Sequence, residues 1–75
     1  MRRAGVAVAA AQGVSVIRAE DDNPPRIGDP VVDDSLETVG TVVDIIGPVE
    51  RPYLVVSPGN DHRPASLLGK PLYLR

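Results

Sequence analysis

No cysteine, phenylalanine or tryptophan occurs in this sequence, and it has a single lysine, Lys70. Without Cys there is neither a disulfide framework nor a thiolate zinc site. Tyr53 and Tyr73 are the only aromatics, so the chain offers nucleic-acid bases no stacking platform. Its eight basic residues (Arg2, Arg3, Arg18, Arg26, Arg51, Arg63, Lys70 and Arg75) are scattered, and ten acidic ones bring the net charge to −2. Affinity for phosphates needs clustered cations, so direct RNA binding is not expected. No apolar run approaches the ~20 residues of a membrane span. Val6 to Ala11, behind Arg2-Arg3, is too short for a signal-peptide core, and it reads on through Gln12-Gly13 into Val14–Arg18 as a hairpin. The expectation is a cytoplasmic protein that does not engage a membrane. Seven Arg against one Lys, with acidic runs at Glu20-Asp21-Asp22 and Asp33-Asp34, would suit a salt-loving host.

What is abundant is valine, with twelve residues among 75. β-Branched side chains favour pleated surfaces, so the core is read as aliphatic and the fold as all-β. A chain of this length is one domain, residues 1–75, and buries only roughly 60% of its unfolded surface. Ala4 to Ala10 mixes helix-favouring alanines with the period-two Gly5, Val6 and Val8; the Gln12-Gly13 turn and the alternating Val14–Arg18 decide for a β-hairpin. Two loops are expected to be mobile, 19–30 (charged, then Asn23-Pro24-Pro25 and Gly28-Asp29-Pro30) and 57–66 (SPGNDHRPAS). Between them, Val31-Val32 reads as a short strand or a corner, and Asp33-Asp34-Ser35 as a turn with Asx-type bonds. Leu67 to Leu74 reads as a last strand, confined by Pro71 to an edge or a bulge. Six short strands with proline- and glycine-marked corners are best met by a small closed or nearly closed barrel.

The stretch from Gly40 to Tyr53, GTVVDIIGPVERPY, organises the rest. Simple alternation puts Val39, Thr41, Val43 and Ile45 on one side of a strand, and Val42, Asp44 and Ile46 on the other. Gly47-Pro48 stops the strand, Pro52 repeats the break, and Tyr53 opens a second run, Leu54-Val55-Val56. The connection loses little entropy when a partner holds it, because its prolines have already removed much of its freedom. Pro48, Val49, Pro52 and Tyr53 fit two readings: a structural corner covering the barrel end, or an exposed apolar patch anchored by Tyr53. Ile46 and Arg51 lie at its margin, with Gly47 at its start. Asp44 is either solvent-facing or bonded to backbone N–H groups of the Gly47 turn.

The pattern GxVxDIxGPVxxPY, with the LYL strand that follows, resembles the core protein of H/ACA ribonucleoproteins named for its glycine/arginine-rich tails. The match lies at Gly40, Val42, Asp44, Ile45, Gly47, Pro48, Val49, Pro52 and Tyr53, and extends more loosely from the N-terminus to Leu74, over nearly the whole chain. Without glycine/arginine-rich tails the chain is similar to the shorter archaeal members, and it departs from some of those in lacking their Lys-rich C-terminal extension. The resemblance implies a six-stranded barrel of the kind in reductase and elongation-factor domains. It implies a non-catalytic subunit that binds the catalytic subunit of the pseudouridine synthase and meets guide RNA only indirectly. It further implies an influence on a substrate-gripping loop of the synthase, and so on substrate placement and product release in rRNA pseudouridylation. The expected partner-binding residues are Ile46, Gly47, Pro48, Val49, Arg51, Pro52 and Tyr53.

Competing chemistry is thin. Asp33, Asp34 and Glu37 lack the spacing and glycine of a hard-cation loop, and Asp61-His62 has no nucleophile beside it. No cofactor, metal or small-molecule substrate is expected, and the chain is read as no enzyme. The alternative function is a ribosome-associated or RNA-processing β-barrel adaptor, for which GTVVDI would be a comparable signature.

Overall fold

The computed structural model describes residues 2–20, 25–59 and 62–75. Six strands, β1 (Arg2–Ala11), β2 (Val14–Ala19), β3 (Pro30–Val32), β4 (Thr38–Ile46), β5 (Tyr53–Pro58) and β6 (Pro71–Leu74), form a closed antiparallel barrel in the order β1-β2-β5-β4-β3-β6. The hairpin turn between β1 and β2 has positive φ at both Gln12 (52°) and Gly13 (81°). That is the mirror-image turn whose twist matches a two-residue hairpin. Ile17, Val31, Val39, Val42, Leu54, Val56, Leu72 and Leu74 fill the interior.

β4 departs from simple alternation, and the departure sets the barrel's curvature. Val31 pairs with Gly40 and Val32 with Thr38, so Val39 is an extra residue against β3. On the other side Val42 pairs with Val56 and Asp44 with Val55, so Val43 is an extra residue against β5. Each bulge turns the strand and shifts its facing by one residue. Val39, Val42 and Ile45 therefore point inward, three apart, while Val43 is exposed. The expectation that Val43 shares a face with Val39 and Ile45 is corrected by these bulges. Gly40 lies between them, where a Cβ would come within 2.6 Å of the Ser57 carbonyl oxygen and 2.7 Å of Val56. The strand can bend onto β5 only because that position has no side chain.

Two sequence expectations for the C-terminal third are also revised. β5 runs on to Pro58, so Ser57 and Pro58 belong to the sheet and not to a loop. Pro64–Leu67 forms a 3-10 turn that carries Leu67 into the core, so Leu67 is not part of the last strand. Pro71 opens β6 as its first residue, a position that demands no N–H from the ladder. The buried Ser15 hydroxyl donates to the Pro64 carbonyl at 2.9 Å and ties the 3-10 turn to β2. One end of the barrel is thus closed by Leu67, leaving the other to the β4–β5 connection.

Candidate protein-docking site

The β4–β5 connection, residues 47–52, leaves the barrel at the end opposite the 3-10 turn. It starts at Gly47, whose φ of 89° a side chain would resist and where a Cβ would come within 3.0 Å of the Tyr53 ring. Gly47 is thus what lets the chain reverse across the ring. It ends at Pro52, which is buried and whose carbonyl accepts the Ala19 N–H at 3.0 Å. Between those two anchors Pro48, Val49, Glu50 and Arg51 are all exposed. Val49 is 83% exposed and Ile46 48%, while Tyr53 is half-buried beneath them. Pro52 serves as a fixed foot of the corner, and the presented apolar surface consists of Ile46, Pro48, Val49 and the open side of Tyr53.

The strand registers extend this surface beyond the corner. Val6 lies opposite Arg18, Arg18 opposite Tyr53, and Tyr53 opposite Ile46, so these four form one row across β1, β2, β5 and β4. The next row is Ala9, Val16, Val55 and Asp44. With neighbouring strands ~4.8 Å apart, each row crosses about 15 Å of outer surface. Val16, Val55 and Tyr53 are only half-buried, while their in-facing neighbours Ile17, Leu54 and Val56 are fully buried. A sheet apolar on both faces is the pattern of one that is covered on both. Val14, Val16 and Val55 had no place in the sequence-derived set of site residues. Their signal was the unbroken apolar run Tyr53–Val56 in β5, which a strand with one wet face does not show, and the valines Val14 and Val16 at the outward positions of β2.

Asp44 occupies the margin of this face and is exposed. Its Oδ1 accepts the Ile45 N–H at 2.8 Å. β3 pairs with β4 only as far as Thr41, and the Arg26–Asp29 turn bonds Val42 through Gly28 and Asp29. Past Val42 the outer edge of β4 carries no strand among the described residues, and the Asp44 carboxylate covers a donor there. This is one way to blunt an edge against unwanted pairing. The solvent-facing reading of Asp44 is the one the geometry supports, with Ile45 rather than the Gly47 turn as its backbone partner.

Of the acidic residues flagged in the sequence, Asp33 holds a turn. Asp33 Oδ1 accepts the Ser35 N–H at 2.9 Å, the Ser35 hydroxyl at 2.6 Å and the Glu37 N–H at 3.1 Å. The Ser35 hydroxyl, with the two backbone donors, holds the Asp33 carboxyl below its ordinary value of 3.8. Such a loop favours the ionised acid because every donor points at it. Leu36 adopts a left-handed φ of 68° within the same turn. His62 Nε2 lies 3.6 Å from Glu37 Oε1, while Asp61 falls outside the described residues. Among the described residues no three His, Asp or Glu side chains are grouped to hold a metal ion.

The barrel is similar to a solved structure, the Gar1 domain of NAf1, with a TM-score of 0.72 over 97% of this chain and 82% of that one, at 16% identity. No family model matches the sequence, and none of the curated proteins does. The likeness establishes the fold: this chain is a closed six-stranded β-barrel of the Gar1-domain type.

Proposed function

We propose that this chain is a non-catalytic accessory subunit of an H/ACA ribonucleoprotein, and that it docks on the catalytic subunit of the pseudouridine synthase. The observation that carries the reading is Val49, a valine 83% exposed on a connection fixed at both ends, beside exposed Ile46 and the open side of Tyr53. A rigid apolar projection loses little freedom on binding and keeps its hydrophobic gain. Support comes also from the GPVxxPY resemblance and from the fold shared with the Gar1 domain of NAf1. In this reading the barrel biases the synthase's substrate-gripping loop by binding one of its positions better than the others, which alters substrate placement and product release without chemistry of its own. Guide RNA is met through the complex, in the cytoplasm of an archaeal-type cell.

The test is a pull-down from the native host with the tagged chain, before and after RNase. Recovery of a pseudouridine synthase that survives RNase is the expected result. Recovery of ribosomal particles in its place would transfer the assignment to an RNA-processing or ribosome-associated adaptor.

A further inference from the structure

Arg18 stands in the middle of the apolar outer face, with Val6 opposite on β1 and Tyr53 opposite on β5. Covering that face would strip water from its guanidinium. A desolvated cation is tolerated only where the covering surface supplies a charge and hydrogen bonds in return. Beside Arg18 is an open depression of about 490 Å³, lined by Val6, Val8, Arg18, Ala19, Glu20 and Arg51. Arg51 reaches it from the corner, so the depression and the presented apolar surface are continuous. Glu20, the one acid in the lining, is held by Arg3 with Nε to Oε1 at 2.8 Å. Among the described residues neither Arg18 nor Arg51 takes part in an ion pair.

We propose that this depression receives an acidic segment of the partner protein. An aspartate or glutamate carboxylate accepts from Arg18 and Arg51, and an aliphatic side chain of the same segment lies against Val6 and Val8. Two forked guanidiniums around one concavity suit planar carboxylates. Phosphates of RNA would suit them too, but Val6, Val8 and Ala19 give the lining an aliphatic side, and no aromatic there offers bases a platform. The inference rests on the docking reading above and names what the partner must bring to it.

The test is calorimetric titration of the full chain with the purified synthase catalytic subunit, at low and at raised salt, for wild type, Arg18→Gln, Arg51→Gln and Val49→Asp. Circular dichroism verifies that each variant is folded. Each Arg→Gln change is expected to weaken binding about thirty-fold or more, and the double variant to lose much of the salt dependence. Wild-type affinity in both folded Gln variants, with binding lost in Val49→Asp, overturns the acidic segment while leaving the docking reading intact. No binding by wild type overturns both. Retention of a single-stranded RNA oligonucleotide by wild type but not by Arg18→Gln would also overturn the proposal, by assigning the arginines to phosphate.

Discussion

Val49→Asp separates docking from folding more cleanly than any other single change. At 83% exposure the valine makes few contacts within the barrel, so its loss from the free protein falls within about ±0.5 kcal/mol, the range of ordinary surface substitutions. The cost appears on binding. Taking a valine side chain out of water contributes ~1.5–3 kcal/mol, and nearly all of this one's surface is free to be covered. Losing even the lower figure weakens the complex about tenfold, before the cost of desolvating the new carboxylate is added. Thermal unfolding of the free chain and calorimetry against the synthase catalytic subunit read the two effects separately. An unchanged melting temperature with binding lost is the expected result. Wild-type affinity in the folded variant would refute the argument, since it would leave the most exposed apolar residue of the corner outside the interface. Tyr53→Ala should also abolish binding, but the ring abuts Gly47, so some stability is lost with it.

Gly40→Ala places a methyl 2.6 Å from the Ser57 carbonyl, and so costs ~3 kcal/mol or more, read as a sharply lowered urea midpoint. Leu67→Ala opens a cavity at the closed end of the barrel and costs ~2–5 kcal/mol in the same assay; an unchanged midpoint would mean that the 3-10 turn does not close the barrel. Asp33→Asn tests the acid side of the stability profile. Because the folded-state carboxyl sits below 3.8, its contribution is present above that value and disappears as pH falls through the lower, folded-state one. Wild type should therefore exceed Asp33→Asn in stability at neutral pH and converge with it in acid; a gap that persists at the lowest pH would contradict the Ser35-centred turn.

Local patterns carried much of this fold. Gln12-Gly13 between alternating runs marks a hairpin, and Gly47-Pro48 with Pro52 marks a corner, because each is decided by residues close in sequence. Partners far along the chain are where the reading ended. Val39, Val42 and Val43 are chemically alike, so nothing in their order tells which will bulge; closure onto β3 and β5 decides it. Leu67 stands at the head of a segment whose alternating Leu68, Leu72 and Leu74 look like a strand, yet Pro64 and the distant Ser15 hydroxyl turn it into a plug. The proposed docking surface takes in the corner from Ile46 to Tyr53 that residue order marks. Its continuation over Val16, Arg18 and Val55 needed the register of β2 against β5, which residue order does not carry. Pro52 shows the converse: its break in the strand was evident, but its burial depends on Ala19, over thirty positions away.

Hydrogen–deuterium exchange on the chain alone and in complex with the synthase catalytic subunit is the most direct measure of where the partner sits. New protection confined to residues 46–53, with 16–18 and 55 beside them, is what a docking corner requires. Protection falling on the 33–37 turn and the 62–67 segment, with the corner unchanged, would place the partner at the opposite end of the barrel and contradict it.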